Sequence, residues 1–126
     1  MTSLQERIAE LTKGMLRKRL FVVIAKGSGR PELISSLLAE HLQYMIGLEK
    51  AGIVFASGPL GAGDGAAIGD GLTVLNVDTL EHARALASID PFFRAGARTF
   101  AVREWTLMEG RMQVTLSFSD KSLAVG

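Results

Sequence analysis

The chain has 126 residues, enough for one domain, and aliphatic side chains must supply most of its core because 48% of residues are hydrophobic but only 6% aromatic. Its 14 basic and 13 acidic residues give a formal charge of +1, so no global field favours nucleic acid or a membrane surface as a partner. It contains no cysteine, which excludes disulfides, thiolate metal sites and a cysteine nucleophile.

The first predicted element is an amphipathic helix over residues 3–16, inside an extension that we place at residues 1–19. Ser3 with Glu6 matches a capping box. Four apolar residues recur at helical steps: Leu4, Ile8, Leu11 and Met15. Their stripe must lie on the domain itself or on a partner subunit. Charged residues interrupt this segment where a signal peptide would be apolar, so we expect a cytoplasmic protein.

Strands and helices then alternate in an order that predicts the fold class. The predicted strands cover residues 20–25, 53–56, 72–77 and 100–107, and the predicted helices cover residues 31–51, a segment that begins at Asp78 or Thr79, and a short turn from Asp90 to Gly96. We expect Ser57-Gly58-Pro59 to end the second strand. The order β-α-β-β-α-β is ferredoxin-like, so the sequence predicts an α+β fold with both helices on one face of the sheet.

The other face of that sheet would expose apolar side chains, which monomers avoid. Packing two such sheets together covers them, so we expect a homodimer or a higher oligomer. A fifth strand is predicted beyond the core, where four apolar residues alternate with polar ones: Met112, Val114, Leu116 and Phe118. It could extend the sheet or cross to a partner. We place the main domain at residues 20–118 and a tail at residues 119–126.

Residues 61–71 form a predicted loop that contains five glycines: Gly61, Gly63, Gly65, Gly69 and Gly71. No window in it matches a dinucleotide-binding or P-loop pattern. The loop also leads into a strand, whereas phosphate-binding loops lead into the N-terminus of a helix. We therefore predict no nucleotide cofactor and interpret the loop as a mobile flap over a pocket.

Two residues are candidates for acid–base chemistry. His41 shares the apolar stripe of the long predicted helix, so it is either a core or interface histidine bonded to a backbone carbonyl, or an acid–base group in a cleft. Asp90 precedes Pro91, which is typical of a helix start, and such a carboxylate can also orient an imidazole. Nothing in their separation along the chain requires the two to meet.

The other polar residues give weaker signals. Tyr44, one turn after His41, fits either the wall of the same cleft or an ordinary boundary between helix and sheet. Metal binding is disfavoured, because His82 is expected at the surface and the spacing of Asp64 and Asp70 fits no calcium loop. We predict no metal and no other cofactor.

Three segments together resemble the YCII-related family over roughly residues 20–108. They are His41-Leu42-Gln43-Tyr44-Met45 with the helix end Lys50-Ala51-Gly52, then Phe55-Ala56-Ser57-Gly58-Pro59-Leu60, and then Ile89-Asp90-Pro91-Phe92-Phe93-Arg94-Ala95-Gly96 before a strand that ends near Trp105. The resemblance implies a dimeric α/β barrel, places the family's proposed His–Asp pair on His41 and Asp90, and implies lyase- or isomerase-like chemistry on small, often aromatic-derived compounds. Many relatives carry Arg-Pro shortly before the histidine, where this chain has Leu38 and Ala39, so no anion clamp is expected there.

The leading hypothesis is a cofactor-independent lyase or isomerase that acts on a small molecule. His41 would act as general base and acid, Asp90 would hold its tautomer, and the substrate would contact Tyr44 and Ser57-Gly58-Pro59. The alternative is a non-catalytic ligand-binding or assembly domain, in which the pair forms a buried hydrogen bond at the dimer interface. Nucleic-acid binding is disfavoured by the balanced charge.

Overall fold

The computed structural model describes residues 3–61, 63 and 68–126. Its helices, in chain order, are α1 (Leu4–Thr12), α2 (Pro31–Lys50), α3 (Leu80–Ile89) and α4 (Pro91–Arg94). Its strands are β1 (Lys18–Gly27), β2 (Val54–Pro59), β3 (Gly71–Leu75), β4 (Arg98–Leu107), β5 (Val114–Leu116) and β6 (Leu123–Val125). From β1 to β4 the order is the predicted one, with the short α4 before β4, so the α+β class is confirmed.

The chain divides into two compact units. One is Arg19–Thr106, and the other combines the two ends of the chain, up to Lys18 and from Leu107. The predicted domain boundaries at residues 20 and 118 stay a prediction. Among the helices of the described ranges, none has both the length and the apolar character that a membrane span requires.

The larger unit contains a four-stranded sheet in the order β2-β3-β1-β4. β3 pairs antiparallel with β1 on one side and with β2 on the other. Phe21 lies opposite Leu75, and Ile24 lies opposite Leu72. This is the strand order of a ferredoxin-like sheet, in which the first and third strands are central.

The packed hydrophobic cluster lies on one face of this sheet, because alternate residues of a strand point to opposite faces. Phe21 and Val23 of β1 are at most 7% exposed and pack with Leu75 and with Ala83 of α3. Eight partly buried hydrophobic residues surround this cluster: Ile53, Val54, Val77, Leu80, Leu86, Ala87, Phe100 and Val102. Aliphatic side chains thus supply most of the core, as the composition predicts.

On the opposite face, Leu20 and Val74 are buried, but other apolar side chains of the same strands remain accessible. Val22 pairs with Val74 there, and Ile24 pairs with Leu72. Ile24 and Leu72 are each 38% exposed. We expect a second subunit to cover this open face.

Capping side chains define where the helices begin. Ser3 accepts from the Glu6 backbone amide and the Glu6 carboxylate accepts from the Ser3 amide, so the predicted capping box is confirmed. Thr79 caps α3 by accepting from the amide of His82. Asp90 caps α4 in the same way, with Pro91 at the first helical position, where no amide donor is needed.

The prediction about the end of the second strand was wrong. Ser57-Gly58-Pro59 does not end the second strand but belongs to it, because these residues pair with β3 as far as Pro59 opposite Gly71. A proline is compatible with this position at the end of an edge strand, where no ladder donor is needed. The tail predicted from Ser119 contains β6, which pairs antiparallel with β5. A three-residue strand is too short for its alternation to be recognised in the sequence.

The predicted fifth strand exists as β5, but it is shorter than the alternating segment and pairs with β6 in a separate two-stranded sheet. It therefore does not extend the four-stranded sheet. Val114 and Leu116 are 52% and 56% exposed. In α1, Leu4 and Leu11 of the predicted apolar stripe are also exposed.

Candidate active site

His41 and Asp90 lie in direct contact. The imidazole Nδ1 is 2.9 Å from Asp90 Oδ1 and 3.0 Å from Oδ2, and the two side chains are only 11% and 15% exposed. An ionised carboxylate can only accept a hydrogen bond, so Nδ1 carries the proton and donates it. The neutral ring then has its lone pair on Nε2, which makes that nitrogen the potential proton acceptor.

The elements on either side fix this pair. His41 is the one buried residue of α2. Asp90 ends α3 and caps α4, where its Oδ1 also accepts from the Phe92 amide at 3.0 Å. The Phe92 ring, 1% exposed, stacks on the imidazole with the ring centroids 4.2 Å apart and an interplanar angle of 20°. The helix cap at Asp90 and the stacking of Phe92 on His41 together hold both side chains in one orientation.

The imidazole lines a cavity of about 700 Å³. One wall is a series of apolar side chains from α2: Ile34, Leu38, Leu42, Met45 and Ile46. The facing wall comes from β2 and the segment around Asp70. A largely apolar cavity with a few polar groups is typical of a site for a small organic molecule.

Ser57, Gly58 and Pro59 line this cavity. The Ser57 hydroxyl is 2.8 Å from the hydroxyl of Thr73, the residue opposite it on β3. The structure therefore brings this predicted segment and His41 to one cavity, although the segment lies on a strand rather than in a turn.

Tyr44 is placed differently from these residues. It is not among the described residues that line the cavity, and its hydroxyl donates to the Leu86 carbonyl oxygen at 2.6 Å. This hydrogen bond joins α2 to α3. Burial raises the pKa of the Tyr44 phenol, and the negative charge of Asp90 raises it further. The predicted contact of Tyr44 with a substrate stays a prediction.

Of the residues considered for metal binding, His82 and Asp70 are among those that the structure describes. His82 is exposed on α3, and the Asp70 carboxylate accepts from the Gly27 backbone amide at 2.8 Å. Asp64 and Gly65 lie outside the described residues. Within the described part of the chain, no group of three acidic, histidine or cysteine side chains is arranged to hold a metal ion.

A family model, the YCII-related domain, matches residues 20–106. The match covers more than half of the chain. The chain belongs to the YCII-related family. The predicted resemblance is therefore confirmed, and the matched residues include both His41 and Asp90.

A solved structure also resembles this YCII-related chain: 5-chloro-2-hydroxyhydroquinone dehydrochlorinase (TftG) from Burkholderia phenoliruptrix AC1100, in complex with 2,5-dihydroxybenzoquinone. The TM-score is 0.58 at 25% sequence identity, and the likeness covers 68% of this chain and 92% of the TftG chain. The fold is therefore of the dimeric α/β barrel class. No curated protein matches the chain.

Arg98 of the YCII-related domain also lines the cavity, although it is not among the predicted site residues. Arg98, at the start of β4, is partly buried, and its guanidinium carbon lies 4.7 Å from the centroid of the Phe92 ring. Burial lowers the pKa of this guanidinium, while the charges of Asp90 and Asp70 raise it, and an arginine stays charged at neutral pH. A single arginine before a strand carries no sequence signal for such a position.

Proposed function

We propose that this chain is a small-molecule lyase or isomerase in which His41 transfers the proton. The proposal is based on one observation: the Asp90 carboxylate contacts Nδ1 of a buried imidazole, and that imidazole lines a cavity. Asp90 holds the tautomer in which Nε2 accepts a proton, and its negative charge stabilises the imidazolium that results. These are the two functions that an acid–base catalyst requires from its partner.

The reaction would begin with transfer of a proton from the substrate to Nε2. In an elimination, the released electron pair forms a new double bond and the leaving group departs with its own bonding pair. In an isomerisation, His41 returns the proton to another atom of the substrate. Neither route needs an external oxidant or reductant, which fits the cofactor-independent hypothesis.

The comparison with TftG supports a substrate class. Its name describes a dehydrochlorinase of a chlorinated hydroxyhydroquinone, and it was solved with a dihydroxybenzoquinone. The apolar walls of the cavity in the present chain suit a planar ring, and the His41–Asp90 pair would contact a ring hydroxyl. We therefore propose a hydroxylated aromatic compound as substrate.

The test is chloride release from 5-chloro-2-hydroxyhydroquinone. We expect His41→Gln to lower kcat by about 100- to 10,000-fold, because it removes the general base. Asp90→Asn preserves a good helix cap but removes the charge, so it should lower kcat while α4 stays folded. His82→Gln is the matched control, since this exposed histidine lies on the surface of α3.

Nitrogen NMR provides a second measurement that does not require turnover. The wild-type spectrum should show the Nδ1–H tautomer of His41, and Asp90→Asn should shift the tautomer balance towards Nε2–H. If the wild-type chain releases no chloride and 2,5-dihydroxybenzoquinone leaves the His41 signals unchanged, the proposal is wrong. Binding of the quinone without turnover would favour the non-catalytic alternative.

A further inference from the structure

Arg98 lies on the same face of the sheet as the core. It is two residues before Phe100 on β4, and alternate residues of a strand share a face. Its side chain lines the same cavity as His41. The Phe92 ring contacts both groups, with the imidazole centroid at 4.2 Å and the guanidinium carbon at 4.7 Å. One aromatic ring thus positions a base and a permanent cation in one cavity.

One hydrogen bond and the space beside a glycine define the position of the guanidinium. Its Nε donates to the Gly69 carbonyl oxygen. Gly71 leaves the space that its terminal nitrogens occupy, because a Cβ atom added there would lie 2.9 Å from Nη2 and 3.4 Å from Nη1. Gly71 belongs to β3, which pairs with both β1 and β2, so the sheet fixes the position of this space.

Proton transfer from a neutral substrate creates two charges, a positive imidazole and a negative substrate oxygen. Asp90 compensates the first, since it contacts the ring directly. The second requires a cation within the cavity. Among the described residues that line the cavity, Arg98 is the one with a permanent positive charge; the other ionisable residues are His41, Glu49 and Asp70.

We propose that Arg98 binds the negatively charged oxygen of the substrate, and hence that the substrate is a phenol or enol that ionises at the cavity. This inference rests on the proposed function and names the chemistry of its ligand. The O–H or C–H bond of the substrate breaks, its proton moves to Nε2 of His41, and the electron pair resides on the oxygen that faces the guanidinium. Planar guanidinium groups bind such oxygens through charge-assisted hydrogen bonds.

The probe is 4-nitrophenol, compared with 4-nitrotoluene, which has a similar shape but cannot ionise. Binding to the full chain is measured by calorimetry above the pH at which the phenol ionises. We expect the wild-type chain to bind the phenolate more tightly than nitrotoluene. Arg98→Met should lower the affinity for the phenolate by about 10- to 100-fold, as expected for the loss of a hydrogen bond to a charged group. It should leave the affinity for nitrotoluene unchanged.

Two further variants separate charge from position. Arg98→Lys keeps the charge and should retain part of the preference for the phenolate. Gly71→Ala keeps Arg98 but forces its terminal nitrogens to move, so it should also weaken phenolate binding. The inference would be overturned if the wild-type chain bound both probes with equal affinity. It would also be overturned if Arg98→Met and Gly71→Ala left the preference for the phenolate unchanged.

The same measurement in His41→Gln distinguishes this inference from the proposed function. If Arg98 binds the anion, the preference for the phenolate persists without the base. Chloride release that fails while this preference depends on Arg98 contradicts the lyase proposal and leaves the anion site standing. Chloride release that depends on His41 while Arg98→Met binds the phenolate normally contradicts the anion site alone.

Discussion

Tyr44 shows how one side chain connects the helices to the candidate site. Its hydroxyl donates to the Leu86 carbonyl oxygen across the boundary between α2 and α3. Burial, with a smaller contribution from the charge of Asp90, raises the pKa of this phenol. Tyr44 is the one tyrosine of the chain, so the absorbance of phenolate reports on it alone.

An alkaline titration followed by ultraviolet absorbance should therefore give a midpoint above the usual value of about 10 for tyrosine. The unfolded chain ionises near that value while the folded chain still holds its proton. The contribution of the protonated Tyr44 to the free energy of unfolding is thus fully present below a pH of about 10. It is lost as the pH rises through the pKa of the folded state. Asp90→Asn should lower the midpoint. A wild-type midpoint at or below that of free tyrosine contradicts this account.

The candidate site could be predicted only where residues carry a local signal. His41 interrupts an apolar helical stripe, and Asp90 stands before a proline, so both were recognisable in the sequence. Their contact at 2.9 Å depends on the packing of α2 against α4, which no local pattern encodes. Arg98 was missed for the same reason, because its position in the cavity depends on Phe92 and Gly69.

At the level of elements, the end of β1 is held against the segment that leads into β3. The Gly27 amide donates to the Asp70 carboxylate at 2.8 Å. A Cβ atom at Gly27 would overlap the Ile68 carbonyl oxygen and would lie 2.9 Å from the Ile68 carbonyl carbon. Glycine is required here because two backbones approach each other closely. This contact fixes one wall of the cavity.

Gly27→Ala should therefore destabilise the chain by about 1–3 kcal/mol, the usual cost of overpacking, because backbone must move. Gly47→Ala is the matched control. Gly47 is exposed on α2 with nothing near its absent Cβ atom, so alanine there should stabilise by about 0.5–1 kcal/mol. Urea unfolding followed by circular dichroism measures both. Equal stability of Gly27→Ala and the wild-type chain would show that the contact is not required.

The ends of elements show the same limit of prediction. The capping residues Ser3 and Asp90 marked helix starts correctly, and Thr79 is one of the two residues predicted for the start of α3, since a cap depends on neighbours within three residues. The end of β2 was misplaced because the pairing of Pro59 with Gly71 joins residues on different strands. Local chemistry therefore predicted helices better than it predicted the extent of strands.

At the scale of the molecule, the open face of the four-stranded sheet leaves apolar side chains of the larger unit accessible to solvent. Ile24 and Leu72 lie side by side there and are each 38% exposed, while Val74 beside them is 6% exposed. An isologous pair of such faces would remove the central apolar residues of both subunits from water. We therefore propose a homodimer that forms through this face, as the fold class also favours.

Multi-angle light scattering after size exclusion should then give twice the chain mass of 13.5 kDa at micromolar concentration. Leu72→Lys places a charge at the centre of the proposed interface, where its desolvation is costly, so this variant should be monomeric. Ala39→Lys adds the same charge at an exposed position of α2 and should remain a dimer. A wild-type monomer, or a Leu72→Lys variant that stays dimeric, contradicts pairing through this face.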